Sequence, residues 1–196
     1  MNEVIQGLLS RRSVRLYMKE QIRDKELKTI LECGLYAPSG GGLQKARFLV
    51  IQDPKRMERL NDTIRYELSS REITGESPMN RGIRRAKIDH YQFLYEAPTL
   101  IAAVAPIDWE NAMADCACAI ENIWLAATAI GLGACWSNQP RWLTDIPAVR
   151  EIFYEAGLRE NEDIYGSIGV GYPGHVAKTA APRKPDRISL DIPREL

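Results

Sequence analysis

Residues 111–131, NAMADCACAIENIWLAATAIG, constrain the fold more than any other segment because they combine helical length with apolar side chains on almost every side. A helix of this kind is buried all round, either inside a domain or in an interface between subunits. Asp115, Glu121 and Asn122 interrupt it, so it falls short of the ~20 apolar residues of a membrane span. The fold must therefore be organised around this helix.

Shorter segments on both sides of the central helix predict a mixture of helices and strands. Apolar residues at helical spacing alternate loosely with short apolar runs that end near Gly or Pro. The predicted helices cover 2–10, 24–36, 55–69, 82–95 and 145–157, and the predicted strands cover 47–52, 99–105 and 165–171. We expect Asp24 to cap the second helix and residues 131–138 to stop the central one. This pattern favours a single α+β domain over residues 1–196.

The segment 55–96 is more charged and less regular than the rest of the chain. Within it, TGESPMNRG (74–82) has the Gly, Ser and Pro content of a mobile loop. Irregular surface segments vary between related proteins and often carry function. We therefore expect residues 55–96 to form a variable segment that faces the substrate.

Charge and cysteine content exclude several classes of protein. Lys+Arg and Asp+Glu both number 26, so no overall positive field attracts nucleic acid. The four cysteines form no CxxC pair and there are only 2 His, so we expect no metal site and reduced thiols packed as small hydrophobic residues. The N-terminal segment lacks the basic region and the apolar core of a signal peptide. We expect a cytoplasmic protein with no membrane partner.

Residues 10–15, SRRSVR, concentrate three arginines in a chain of zero net charge. Guanidinium groups stay charged and present planar pairs of donors that suit a phosphate. In an extended segment Arg11, Ser13 and Arg15 share one side, and Arg12 points elsewhere. From these residues alone, the segment is either a site for a small anion or a solvated run of charge.

Four other short motifs are each weak on their own. PSGGGLQ (38–44) has the glycines of a loop that approaches a ligand closely, but it matches neither a Rossmann fingerprint nor a P-loop, and on its own a flexible turn explains it better. GLGACWSN (131–138) reads as the end of the central helix. GYPG (171–174) and PRKP (182–185) are a turn and a rigid basic tail.

In this order, the motifs resemble those of the FMN-dependent nitroreductase family. The family opens with an RRSxR-type motif, continues with APS and a turn rich in Gly, Ser or Asn that leads to Gln, and ends with GYP and a basic tail. The resemblance covers nearly the whole chain. It implies a three-layer α/β/α fold with a central mixed, mainly antiparallel sheet, and an intertwined homodimer with FMN in the interface.

The resemblance also implies a role for each motif in binding FMN. The opening arginines and serine would hold the phosphate and ribityl end, with Arg15 at the pyrimidine edge of the ring. The 38–44 turn would come from the partner subunit, residues 136–138 would lie against flavin N5, and Arg183 would close on the phosphate. The residues assigned to the cofactor in this way are Arg11, Arg12, Ser13, Arg15, Pro38, Ser39, Gly40, Gln44, Trp136, Ser137, Asn138 and Arg183.

The implied activity is a ping-pong hydride transfer from NAD(P)H, through FMN, to a nitroaromatic or quinone acceptor. The chemistry would be that of the flavin, and no dedicated general base is expected. The family turn runs Ser-x-Asn-x-Gln-Pro-Trp, whereas this chain has Gly42, Lys45 and Ala46 at the Asn, Pro and Trp positions. Two alternatives therefore stay open: another flavoenzyme on the same scaffold, such as an azoline oxidase or dehalogenase, and a protein that stores FMN without turnover.

Overall fold

Within residues 2–189, the part of the chain that the computed structural model describes, four strands form one antiparallel sheet. The strands are β1 (Arg47–Ile51), β2 (Thr99–Pro106), β3 (Gly133–Ser137) and β4 (Glu162–Gly171), in the spatial order β1-β2-β4-β3. The two central strands, β2 and β4, are buried over most of their length because helices cover both faces. Their nearly continuous apolar runs are typical of strands in that position.

Seven α-helices occur in the same residues. They are α1 (Glu3–Ser10), α2 (Asp24–Leu35), α3 (Pro54–Ser69), α4 (Pro78–Ala86), α5 (Ala112–Ala129), α6 (Gln139–Trp142) and α7 (Pro147–Glu155). None of the helices described has the length and apolar character needed to cross a membrane.

Two hydrophobic cores lie on opposite faces of the sheet. On one face, α2 and α5 pack their buried isoleucines, among them Ile30 and Ile120, against Ile101 and Ile168 of the sheet. On the other face, residues of α3, α4 and α7, among them Leu60, pack against the remaining side chains of β2 and β4. The predicted three-layer α/β/α arrangement is therefore confirmed.

Within one chain the central helix α5 is buried on one side only, so of the two alternatives given above, burial inside the domain does not account for its other side. Ile120, Ile123 and Trp124 face the sheet, whereas Met113 and Cys118 are exposed. The exposed side is itself apolar, so composition along the helix does not reveal which side meets the sheet. The exposure of Cys118 also corrects the expectation that all four thiols pack as hydrophobic residues. Cys116 lies on the buried side of α5, and a residue two positions later on a helix points in a different direction.

The edge strand β3 lies where the sequence predicted only a helix stop. Gly131, with φ of +84°, ends α5, and the chain then extends as β3 beside β4. A side chain at Gly133 would place its Cβ 2.8 Å from Val14 Cγ1. The glycine that looks like a breaker therefore lets the N-terminal segment approach the strand closely.

The boundaries of two helices, α2 and α4, also differ from the sequence prediction. Arg23 rather than Asp24 is the N-cap of α2, and Glu26 accepts a hydrogen bond from the Arg23 amide. The predicted mobile loop 74–82 contains the start of α4, whose N-cap Ser77 accepts from the amide of Asn80. The predicted helix over 82–95 ends at Ala86, because the following residues turn to place aromatic side chains in the core.

A buried ion pair ties β4 to β1. Glu162, only 2% exposed, accepts hydrogen bonds from Arg47 Nε at 2.5 Å, from Arg47 Nη2 at 2.7 Å and from the Arg159 amide at 3.0 Å. Burial on its own raises the pKa of Glu162, but these hydrogen bonds and the nearby positive charges outweigh it and hold the pKa below its usual range. The ionised carboxylate therefore stabilises the folded state.

We expect Glu162→Gln to lower the free energy of unfolding by about 1–3 kcal/mol near neutral pH, since it leaves the Arg47 guanidinium without its anion. Because the folded-state pKa is lowered, this stabilisation is present above the unfolded-state pKa of about 4.3 and is lost as the pH falls through the folded-state value. Urea denaturation near neutral pH and near pH 3 measures both effects. Glu155→Gln, which removes a more exposed ion pair with Arg59, is the matched control and should cost less. A difference between wild type and Glu162→Gln that persists unchanged in acid would contradict the assignment.

Candidate functional site

The arginine segment extends along the outer edge of β3. Ser13 forms a parallel bridge with Ala134, and the Val14 amide donates to the Ala134 carbonyl at 3.0 Å. Val14 is buried against the sheet, so its neighbours on either side in the sequence face outward. The segment is therefore extended at this point, as the proposed alternation of its side chains requires.

Arg11 is held against α5. Its guanidinium carbon lies 4.0 Å from the centroid of the Trp124 ring, and its Nε lies 3.3 Å from Glu121 Oε1, close enough for an ion pair but without the geometry of a hydrogen bond. Arg12 is held differently, because its Nη1 donates to the carbonyls of Leu9 and Arg11. Arg12 thus caps the last turn of α1 rather than reaching outward.

The arginine segment contains polar nitrogen atoms that its described surroundings do not satisfy. Nε of Arg11 and Nε of Arg12 are both buried and have no hydrogen-bond partner among residues 2–189. Buried donors are normally paired, and unpaired ones indicate a missing ligand or water. Together with the half-buried Ser13, these donors fit a small anion with several oxygen atoms, such as a phosphate group.

The 38–44 turn is built from backbone that only small residues accommodate. Gly40–Gly42 form a 3-10 turn in which Gly41 and Gly42 have φ of +57° and +68°. The Gln44 amide donates to Ser39 Oγ at 3.1 Å and closes the turn. At Gly40 a Cβ would lie 2.4 Å from Asn111 Nδ2, so this position admits no side chain without a local shift.

Asp115 fixes the turn to the central helix. This carboxylate is 5% exposed and accepts two hydrogen bonds, from the Gly40 amide at 3.0 Å and from Trp109 Nε1 at 2.8 Å. In the sequence alone, Asp115 stands out only as an interruption of an apolar helix. A lone carboxylate among the apolar residues of a buried helix was the available signal, since a buried charge needs donors to hold it.

Within one chain, the arginine segment and the 38–44 turn lie at opposite corners of the sheet. The turn leads into β1 at Arg47, which pairs with Val104, whereas Ser13 lies outside β3 beside Ala134. Four steps of about 4.8 Å separate β1 from the N-terminal segment, or roughly 19 Å across the sheet. The two motifs also lie toward opposite ends of the strands, because Ala134 is opposite Val170. A single copy therefore does not bring them together.

The 136–138 stretch shares an edge with the arginine segment. It follows Ala134 on β3, so Ser137 lies about 10 Å along the strand from the residue that Ser13 pairs with. Trp136 Nε1 donates to Asn138 Oδ1 at 2.6 Å, and the Ser137 hydroxyl donates to Gln139 Oε1 at 2.5 Å. These contacts make the end of β3 rigid.

No hydrogen bond or ion pair among the described residues joins Arg183, the predicted phosphate contact, to the arginine segment. It lies in the exposed stretch after β4, where its Nη1 donates to the Ala181 carbonyl at 3.2 Å. Pro38, from the predicted turn, is exposed beside Ser39. The roles of both residues stay predictions.

A cleft of about 370 Å³ opens between the arginine segment and the 85–96 segment. Arg15 and Arg85 line this cleft. The ring of Tyr95 lies close to both guanidinium groups, and the ring of Tyr91 lies close to that of Arg85. Gln139 Nε2 donates to the Tyr91 hydroxyl at 2.9 Å, which connects the cleft wall to the end of β3. Burial raises the pKa of Tyr91, so the residue remains a neutral phenol at ordinary pH.

The layered α/β/α fold thus carries a candidate anion site along one edge of its sheet and a glycine-rich turn at the opposite corner. The sequence model of the nitroreductase family matches residues 8–172, and the chain belongs to this family. The resemblance inferred from the motifs is thereby confirmed.

Three relatives illustrate the family membership. A nitroreductase from Bacteroides fragilis, crystallised with bound FMN, is 34% identical with a TM-score of 0.85, and the match covers 97% of this chain and 99% of that one. YdjA of Escherichia coli, provisionally named an NAD(P)H nitroreductase, is 29% identical over 91% of this chain and 92% of its own. A 5,6-dimethylbenzimidazole synthase from Rhodospirillum rubrum is 30% identical over 70% of this chain and 72% of its own.

We expect Asp115→Asn to destabilise the protein by about 1–3 kcal/mol, because an amide cannot accept both hydrogen bonds and presents an NH2 group to one of the donors. Chemical denaturation measures the loss, and the fluorescence of the Trp109 indole reports the broken contact. Asp108→Asn is the matched control, since Asp108 is exposed and close in sequence. Equal stability of both variants would show that Asp115 does not hold the turn.

Proposed function

We propose that this protein is an FMN-dependent oxidoreductase that takes hydride from NAD(P)H and passes it to a small acceptor. The observation that carries the proposal is the extended arginine segment, in which Arg11 lies on the same side as Ser13 and its buried Nε has no hydrogen-bond partner among the described residues, since this arrangement suits the phosphate of FMN. Family membership supports it, as does the bound FMN of the Bacteroides fragilis relative. When bound, FMN supplies a ring that accepts a hydride and returns it to a second substrate, such as a nitroaromatic or a quinone.

The residues of this chain would bind and orient the cofactor. Arg11 and Ser13 would hold the phosphate, with Arg183 closing over it. Arg12, whose Nη1 already donates to two carbonyls, would contribute less. Arg15 would stabilise negative charge at the pyrimidine edge of the ring. The stretch Trp136, Ser137 and Asn138, made rigid by its own hydrogen bonds, would present its backbone to the ring.

We infer that the working unit is a homodimer, because one chain holds the two half-sites roughly 19 Å apart across the sheet. Pro38, Ser39, Gly40 and Gln44 would reach the cofactor bound to the other copy. Apolar surface supports this arrangement. Large hydrophobic side chains that are exposed in the single chain include Val4, Ile5, Leu8 and Leu9 of α1, Met113 of α5, and Leu35, Tyr36 and Leu43 near the turn.

One observation favours a second candidate, another flavoenzyme on the same scaffold. The relative from Rhodospirillum rubrum is named 5,6-dimethylbenzimidazole synthase. In this chain the turn also carries Gly42 and Ala46 where the family pattern has the larger Asn and Trp, while Lys45 replaces a smaller Pro. Less side-chain volume at Gly42 and Ala46 leaves more room beside the proposed ring site, which would suit a different substrate.

The purified protein should be yellow, and anaerobic mixing with NADH or NADPH should bleach the flavin band, because the proposed activity requires hydride transfer from a nicotinamide. Reoxidation by a nitroaromatic or a quinone then completes the cycle, and stopped-flow absorbance measures both halves. Reduction by dithionite but by neither nicotinamide would favour the second candidate or an FMN-storage protein. A colourless protein that neither binds FMN nor quenches its fluorescence would overturn the proposal.

We expect Arg11→Ala and Arg183→Ala each to weaken FMN binding by about 1.5–3 kcal/mol, the contribution of a charged hydrogen bond to a phosphate. Arg12→Ala should cost less, since its guanidinium is held by the backbone of α1. Titration of FMN fluorescence measures all three. Thermal unfolding of each apoprotein separates cofactor binding from loss of the Arg11–Trp124 contact.

Co-expression tests the division of the site between two copies. Gly40→Val should also impair FMN binding, because a side chain there displaces the turn. A heterodimer of Arg11→Ala and Gly40→Val chains has one doubly altered site and one intact site, so random pairing should restore about a quarter of the sites. No recovery of tight FMN binding in co-expressed, dimeric protein would mean that one chain supplies both residues to its own site.

A further inference from the structure

We propose that Arg85, together with Arg15, forms a subsite that recognises an anionic group on the electron acceptor, so that the protein prefers aromatic acceptors that carry a carboxylate. The inference rests on the proposed function and names the substrate class for the same site. It comes from the cleft between the arginine segment and residues 85–96, which lie within the segment expected to face the substrate.

Arg85 has no acidic partner in the part of the chain that the structure describes. Its Nη1 donates to the Tyr95 hydroxyl at 2.7 Å, and its guanidinium lies over the rings of Tyr95 and Tyr91, 4.8 Å and 5.6 Å from their centroids. The adjacent Arg84, by contrast, pairs with Glu76 at 2.6 Å. Aromatic faces hold Arg85 in place while most of its five donors remain available.

Arg15 approaches the same aromatic ring. Its guanidinium carbon lies 5.7 Å from the centroid of Tyr95, and Arg15 is exposed on the cleft. No carboxylate within residues 2–189 forms an ion pair with it either. Two positive groups therefore lie beside one tyrosine, and an anion in the cleft would gain a charged hydrogen bond from Arg85 and the attraction of the Arg15 charge, whose own donors are proposed to face the flavin.

The acidic residues of the cleft do not cancel this charge. Asp89 lies 3.3 Å from Arg65, which balances it, and Glu96 is an exposed residue with no ion pair in the described contacts. One acidic group thus remains to offset Arg15 and Arg85. The cleft therefore favours an anion close to the two guanidinium groups.

The backbone around the cleft is held in an uncommon conformation. His90, Tyr95 and Glu96 have φ of +61°, +57° and +63°, a left-handed region that residues other than glycine rarely occupy. Such conformations persist where the surrounding structure enforces them, and they concentrate at ligand-binding sites. Here they turn Tyr95 toward the two arginines.

The cleft adjoins the residues proposed to hold the flavin. Gln139 connects Tyr91 to Ser137 by two hydrogen bonds, of 2.9 Å and 2.5 Å, and Arg15 belongs to both the arginine segment and the cleft. An acceptor whose reacting group approaches the flavin would therefore place a substituent near Arg85. A carboxylate on an aromatic ring has the charge and the planar geometry that the guanidinium groups and the tyrosine faces recognise.

The holoprotein should distinguish acceptors that differ in a single charge. Wild type should reduce 4-nitrobenzoate with a higher kcat/KM than 4-nitrobenzamide, and Arg85→Gln should lower the value for 4-nitrobenzoate by about tenfold or more while changing the amide by much less. The affinity of the oxidised holoprotein for unreactive benzoate, measured by the shift in flavin absorbance, should fall by a similar factor in Arg85→Gln. Arg81→Gln, which removes a charge from the same helix outside the cleft, should change neither.

The outcomes separate this inference from the function on which it rests. If the protein binds FMN and is bleached by NADH, an equal fall in activity with both acceptors, or a fall confined to reduction by NADPH, overturns the acceptor subsite alone. The second result would assign Arg85 to the 2′-phosphate of the nicotinamide cofactor. If no holoprotein forms, the proposed function and the subsite are overturned together. An unchanged FMN affinity in Arg85→Gln excludes a general disturbance of the site.

Discussion

The central helix α5 positions both halves of the candidate site. Near its first turn, buried Asp115 holds the backbone of Gly40, and further along Trp124 and Glu121 hold Arg11. Nine residues separate Asp115 from Trp124, about 14 Å along a helix axis. Because α5 is rigid and packs on the sheet through buried isoleucines, it fixes the spacing of the turn and the arginine segment. Neither motif could move without breaking a contact to this helix.

The distance between the 38–44 turn and the arginine segment constrains how copies of this chain can assemble. FMN is one ligand, and its proposed contacts lie at opposite corners of one sheet, so two copies would have to supply the proposed site. The exposed side of α5 and the apolar side of α1 offer the surface for such an assembly. A two-fold arrangement would bring the turn of each copy to the arginine segment of the other. The association would then create the binding site as well as bury hydrophobic surface.

The sequence predicts the layers of this fold better than its edges. Long apolar periodic segments such as α5 and the runs of β2 and β4 have one stable placement, so their existence follows from pattern alone. The edge strand β3 was missed because its glycines, which make room for Val14, look like a helix stop. The motifs located the arginine segment and the turn, but not Asp115, whose role depends on a partner 75 residues away in the sequence.

The cleft at residues 85–96 was beyond sequence reasoning for a physical reason. Its shape depends on left-handed backbone at His90, Tyr95 and Glu96, which no local pattern of residues predicts. Tyr91, Phe93 and Leu94 are buried in the core, so the segment is anchored although it is not helical. Anchoring of this kind lets the exposed side chains change without cost to the fold. An exposed charge such as Arg85 can therefore sit on this segment without disturbing the core beneath it.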